Sequence, residues 1–347
     1  MGSEKGDRYF DPDETWKGLA VVITNFLSGS HIREGGEKDH ENMIKSFEQL
    51  GFKVIGHKDV TTTMLTKLLE EYSKKKDLNC FAFAISSHGF EMEKKEDENA
   101  KKEKNEKEKQ KTKTKHHAIQ MFDGKFVFTH DILDCFSDTN CPGLRNKPKI
   151  FFIQACRIPD SKATADQWKA EIGLEKGCSP PKAAKYNPAE HNPVKPNPVK
   201  PAPQTTIEME ADSYLPDATK TKDPSVEDKD KIDPPKAHIT NPPAPVEITL
   251  VPCYNDMLIM FPCPEGYYAF RNRHDGSYML TLFSEVVDAC CTKYESADLM
   301  DMLKDVTFKM SEKSFYGPKE YKTVPSVVHK LRKDVIFKAK FSSRLAF

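Results

Sequence analysis

The sequence predicts an α/β fold: a mostly parallel sheet with helices on both faces. Three observations carry this. Residues 18–25 (GLAVVITN) and 80–86 (CFAFAIS) are near-continuous apolar runs, the mark of strands covered on both sides. Segments with helical spacing of apolar residues lie between such runs. The order strand, helix, strand, helix, strand then demands crossover connections, which return the chain parallel to itself.

Residues 18–25 form the first strand. Residues 38–50 put Met43, Ile44, Phe47 and Leu50 at helical spacing and stop at Gly51. A second strand spans 52–58. A second helix spans 62–74, with Met64, Leu65, Leu68, Leu69 and Tyr72 on one face. The third strand is 80–86. Asp123-Gly124 at the centre of 120–128 is a strong hairpin signal. A short helix at 129–136 and a strand at 150–154 follow. Further on, 256–261 and 324–331 read as strands, and 277–294 and 297–309 as helices. This later block is small for an independent core, so it is expected to extend the same sheet.

Two stretches cannot join a core. Residues 91–115 are almost wholly Lys, Glu, Asp and Asn, with only Met92 and Ala100 apolar, and read as a solvated insertion. Residues 158–245 hold sixteen of the 24 prolines, including NPVKPNPVKPAP, and read as a disordered linker. The expected organisation is a short N-terminal peptide (1–16), a first catalytic part (17–157), the linker (158–245) and a second part of the same domain (246–347).

Lys+Arg and Asp+Glu are equal at 53 each, so no global field favours nucleic acid or a membrane surface. No run of about 18 apolar residues exists to cross a membrane. The polar, acidic N-terminus does not read as a secretory signal, and a cytoplasmic location with reduced thiols is expected. The nine cysteines include no Cys-x-x-Cys pair, so neither a zinc site nor any cofactor is expected.

The strand at 150–154 runs straight into Gln154-Ala155-Cys156-Arg157, and the strand at 80–86 into Ser87-His88-Gly89. In an open parallel sheet reactive groups gather at the carboxyl ends of strands, so Cys156 and His88 fall on neighbouring loops. A thiol near its ordinary pKa is only a few per cent thiolate at neutral pH. An adjacent imidazole can raise that fraction and protonate a leaving amine. Backbone N–H groups at Gly89 and Cys156 can hold the resulting oxyanion.

These words resemble those of the caspase family. Gln154-Ala155-Cys156-Arg157 matches its nucleophile motif, with His88 at close to the family spacing once the charged insertion is discounted. ITNF near Ile23, Gly266-Tyr267-Tyr268-Ala269-Phe270-Arg271-Asn272 and Asp275-Gly276-Ser277-Tyr278 extend the resemblance over both ordered blocks. It implies a three-layer sandwich around a six-stranded sheet, built from large and small parts of one precursor. It further implies a cysteine endopeptidase acting after aspartate in programmed cell death, with Cys156 as nucleophile and His88 as acid/base. Arg33, Gln154 and Arg271 would read the substrate carboxylate, while Tyr268 and Phe270 would line neighbouring pockets. Protein substrates and a homodimer of large/small pairs follow as partners. The few residues before the catalytic block point to the short-prodomain, executioner type. Activation would come from a cut in the linker, at Asp212 or Asp217, each followed by a small residue.

One position departs from the motif. Ile158 stands where the family has glycine, and a β-branched residue disfavours positive φ. If the loop needs that conformation, the alternative is a catalytically impaired relative that regulates an active one.

Overall fold

The computed structural model describes residues 7–11, 16–29, 32–93, 115–159, 209–211, 251–312, 315–316 and 320–338. The strands are β1 (Gly18–Thr24), β2 (Lys53–Lys58), β3 (Cys80–Ser86), β4 (Gly89–Glu93), β5 (Lys115–Gln120), β6 (Phe126–Phe128), β7 (Lys149–Gln154) and β8 (Met209–Ala211). They continue as β9 (Met257–Phe261), β10 (Phe270–Asn272), β11 (Gly276–Ser277), β12 (Ser296–Asp298), β13 (Phe315–Tyr316), β14 (Glu320–Tyr321), β15 (Ser326–His329) and β16 (Ile336–Lys338). The α-helices are α1 (Gly36–Gln49), α2 (Thr62–Ser73), α3 (Thr129–Asp134), α4 (Tyr278–Lys293) and α5 (Leu299–Glu312).

Six strands form one sheet in the order β15-β9-β7-β3-β1-β2. All neighbours pair parallel except β15, which runs antiparallel to β9 at the edge. The later block thus extends the first block's sheet, as its small size required. Period-two alternation splits each central strand between two cores. Ala20, Val22, Ala82, Ala84, Ile150, Phe152, Leu258 and Met260 face a core shared with α1, α4 and α5. Leu19, Val21, Phe81, Phe83, Ile85, Phe151, Ile153 and Ile259 face the other, shared with α2 and α3. Burial on both faces is the reason these strands read as unbroken apolar runs.

The chain leaves β1 for β2 over the face that α1 covers and returns to β3 over the face that α2 covers. Between β1 and β3 the connections therefore diverge, and their carboxyl ends open a crevice there.

Composition misplaces two boundaries. Phe10 is buried and packs at a tilt against Trp16 with ring centroids 4.4 Å apart, and Trp16 meets Phe52 and Phe337 edge-on. The N-terminal peptide therefore carries core residues. Likewise β4 and β5 reach into both ends of the charged stretch, and with β6 form an antiparallel sheet beside the main one. Glu91 is fully buried there. The turn at Asp123-Gly124 joins β5 to β6 as expected, with Gly124 at φ 77°. Among the described residues, eight cysteines are all unbridged, and no helix is long and apolar enough to cross a membrane.

Candidate active site

Ser86 and Gln154 are register partners at the ends of β3 and β7, and the Ser87 N–H donates to the Gln154 carbonyl at 3.0 Å. His88 and Cys156 each lie two residues past that pair, so the sheet delivers both to the same edge. Both are buried. The Cys156 Sγ accepts from the Ala269 N–H at 3.2 Å. Tyr268 packs in the same small cluster as Cys156, and its hydroxyl pKa is pushed up, first by burial and then by charge at Cys156. The His88 ring is covered by Phe26, centroid to centroid 4.9 Å. Phe26 follows β1 at φ 63°, a conformation a bulky residue adopts only when its surroundings enforce it.

Gly89 permits a close approach. A Cβ there would lie 2.7 Å from both the Ala155 Cβ and the Cys156 carbonyl oxygen, and 3.0 Å from His117 Nε2. His117 is a positioning residue that the sequence reading missed. Its Nε2 lies 3.1 Å from the Cys156 carbonyl and its Nδ1 2.7 Å from Thr129 Oγ1. Burial, then the Arg157 charge, lowers its pKa to about 3. The ring is therefore neutral, donates from Nε2 to the carbonyl and accepts the Thr129 hydroxyl at Nδ1.

Arg157 braces the Cys156 loop from the other side. Its N–H donates to the Tyr267 carbonyl at 3.0 Å, and its carbonyl accepts the Gly266 N–H at 2.8 Å. Its guanidinium stacks on Phe261 at 4.2 Å, pairs with Glu265 at 2.5 Å and lies 3.5 Å from Glu91. Burial lifts the Glu91 carboxyl to about 7 even though Arg157 opposes the shift.

The three residues expected to read a carboxylate fall in one buried neighbourhood. Gln154 is the ladder neighbour of Ser86, whose hydroxyl accepts from Arg33 Nη1 at 3.1 Å and donates to Asp39 Oδ2 at 2.6 Å. Arg33 Nη2 lies 3.9 Å from the same Asp39 oxygen. The Ser277 hydroxyl also donates to Asp39 Oδ2, at 2.6 Å, and its N–H donates to Oδ1 at 2.5 Å. Ser277 is the register partner of Arg271. Asp39 thus ties the Arg33 loop to the strand carrying Arg271. Phe270 is half-buried on β10, against the cluster that holds Tyr268 and Cys156. Asp212 and Asp217 lie outside the described residues.

Ile158 is not among the residues with positive φ. It is buried against Phe90, Cys156, Cys263, Tyr268 and Ala269, and its carbonyl accepts the Glu91 N–H at 2.7 Å. The β-branched side chain therefore fills a core position rather than straining the loop. Ile158→Gly is expected to lower stability by about 2–5 kcal/mol through the cavity it leaves and to reduce activity rather than raise it. Calorimetry and peptide turnover on the pair of proteins check this; a faster, equally stable glycine variant would show that the loop is strained after all.

A family model described as caspase domain matches residues 17–336. The chain is 29% identical over 171 residues to caspase-2 of Gallus gallus, covering 47% of this chain and 34% of that protein. It is 31% identical over 168 residues to caspase-8 of Mus musculus, covering 45% and 30%. Against caspase b of Danio rerio it is 28% identical over 173 residues, covering 46% and 37%. The matched stretches span about a third of the length of these relatives.

Proposed function

The chain belongs to the caspase family, and from that premise we propose that it is a cysteine endopeptidase that cuts protein chains after aspartate. The observation that carries the reading is the meeting of two constellations at one sheet edge. Cys156 and His88 follow paired positions of β3 and β7, and Arg33 bonds the serine that is paired with Gln154.

In this reading the Cys156 thiolate attacks the carbonyl carbon after the substrate aspartate. The developing oxyanion is held by the backbone N–H groups of Gly89 and Cys156. His88 protonates the leaving amine, then takes a proton from the water that hydrolyses the thioester. Arg33, Arg271 and Gln154 bind the aspartate carboxylate. A planar guanidinium meets a carboxylate with two parallel hydrogen bonds, so two of them in a water-poor site discriminate strongly against uncharged side chains. Tyr268 and Phe270 contact the residues before the aspartate.

The chain is made as a single precursor, with residues 158–245 linking its two parts, and a cut in that linker activates it. Two such molecules associate through the small parts. Supporting this, β15 is the antiparallel edge of the main sheet and exposes Val324 and Val328 beside it. The family resemblance supports a role in programmed cell death.

The test is a panel of otherwise identical tetrapeptide reporters ending in Asp, Glu or Asn, given to protein whose linker has been cut. The Asp reporter is expected to be favoured over Asn by at least about two orders of magnitude, since the rejected analogue leaves buried charged donors unpaired. Equal turnover of Asp and Asn would remove aspartate specificity, and no turnover at all would remove the protease assignment.

A further inference from the structure

Neither nucleophile nor proton carrier, His117 is nevertheless wedged between the two residues assigned to the oxyanion. The β4–β5 ladder sets this arrangement. Gly89 opens β4, and two steps further on Glu91 is the register partner of His117. His117 is buried, with Nε2 3.1 Å from the Cys156 carbonyl. Its ring meets Phe261 edge-on at 5.6 Å, and the same Phe261 carries the Arg157 guanidinium at 4.2 Å. Thr129, the buried first residue of α3, meets the other ring nitrogen with its hydroxyl at 2.7 Å. Both nitrogens are thus committed, one to a carbonyl and one to a hydroxyl, which leaves neither to move a substrate proton.

The peptide joining Cys156 to Arg157 is held at both of its polar ends. Its carbonyl accepts the His117 N–H, and its own N–H donates to the Tyr267 carbonyl at 3.0 Å. Gly89 packs on the histidine bond itself. A Cβ there would fall 2.7 Å from the Cys156 carbonyl oxygen and 3.0 Å from His117 Nε2. One hydrogen bond therefore governs how Gly89 sits against Cys156. Oxyanion donors work because they are aimed before the charge develops. Without the imidazole, the buried Cys156 carbonyl would lose this donor. Rotation of the peptide toward another donor would relieve that cost and spoil the aim of the neighbouring N–H.

We propose that His117, steadied by Thr129, is the positioning residue of the oxyanion site: it fixes the Gly89 and Cys156 N–H donors without touching substrate. This task rests on the protease reading above and gives that reaction two further residues. Three reactions of one thiol separate it from general support of the fold. Hydrolysis of an Asp reporter and reversible addition of a peptidyl aldehyde ending in Asp both join the sulfur to a carbonyl carbon and load charge onto its oxygen. Alkylation by iodoacetamide joins the sulfur to a methylene carbon and expels iodide, with no oxyanion at any point.

The experiment uses protein with a cut linker and three variants. His117→Leu has no donor, His117→Gln keeps an Nε2 donor, and Thr129→Val keeps the side-chain shape without the hydroxyl. His117→Leu is expected to lower kcat about 10–100-fold with KM changed less than about twofold, a part of what a direct oxyanion donor supplies. It should weaken the aldehyde by the same factor and leave the alkylation rate of Cys156, followed by peptide mass, unchanged. His117→Gln should recover most of the loss. Thr129→Val should show the same signature at about three- to tenfold. Alkylation that slows in step with hydrolysis would show that the thiol itself has moved. Hydrolysis and aldehyde binding at wild-type levels in His117→Leu and Thr129→Val would show that the bond is idle. Either result overturns the proposal, and Thr129→Val alone decides if His117→Leu does not fold. A wild type that is alkylated at Cys156 but never hydrolyses the Asp reporter sinks the protease reading and this task with it. Normal hydrolysis in every variant sinks only the task.

Discussion

Cys156→Ala is expected to lower turnover of an Asp-terminated peptide by a factor on the order of 10⁴ or more while the protein stays folded. The side chain is fully buried, and its sulfur accepts the Ala269 N–H. Removing one sulfur from this cluster costs on the order of 1 kcal/mol, because the void is small, whereas the proposed covalent step has no other atom to form the thioester. Six of the other described cysteines are made less reactive by their surroundings. Burial is the leading cause that raises the thiol pKa of Cys80, Cys135, Cys141, Cys253, Cys290 and Cys291, which lowers their reactivity. Initial rates and a melting curve on the two proteins check both halves of the expectation. Substantial residual turnover would reassign the nucleophile.

The second large effect concerns the arginines. Arg33→Ala and Arg271→Ala should each reduce kcat/KM for the Asp reporter by about 10²–10⁴, the scale of losing a charge-assisted double hydrogen bond in a desolvated site. Lysine restores the charge but not the planar fork and should recover little. Arg33 has a structural task too, because it bonds Ser86 and neighbours buried Asp39. Removing one member of a buried ion pair costs about 3–5 kcal/mol, so loss of rate alone would be ambiguous for Arg33→Ala. The ratio of Asp to Asn turnover separates the two tasks. Damage to the fold lowers both rates together; loss of the carboxylate-binding fork lowers only the first, and the ratio falls toward one. A variant that keeps the wild-type ratio would take Arg33 out of the pocket.

Much of the fold was legible because each central strand is buried on both faces, so its whole length is apolar. Helices α1, α2, α4 and α5 showed their periodicity for the complementary reason, each burying one face against the sheet. What escaped were elements whose stability comes from partners distant in sequence. β4 and β5 begin and end among lysines and glutamates, and Glu91 is buried there because Arg157, on another loop, faces it at 3.5 Å. β8 is three residues long within proline-rich chain, and its partner is β10.

The site divides in the same way. Cys156 and His88 could be placed together from strand ends alone. The grouping of Arg33, Gln154 and Arg271 came from the family resemblance, since no local pattern links an arginine after β1 to another on β10. His117 and Asp39 gave no sequence signal. A histidine beside a charged run reads as solvent-facing, and an aspartate three residues into a helix reads as an N-terminal charge. Only the tertiary arrangement, with His117 against the Cys156 carbonyl and Asp39 between Ser86 and Ser277, reveals their tasks.

The most direct test of an aspartate-reading cysteine site is covalent. Protein with a cut linker is treated with one equivalent of a peptidyl ketone that alkylates thiols, ending in either Asp or Asn, and the adduct is mapped by peptide mass. The account predicts one adduct, on Cys156 out of nine cysteines, formed with the Asp reagent, suppressed with the Asn reagent and lost in Arg271→Ala. Label spread over other cysteines, or equal labelling of Cys156 by both reagents, would contradict it.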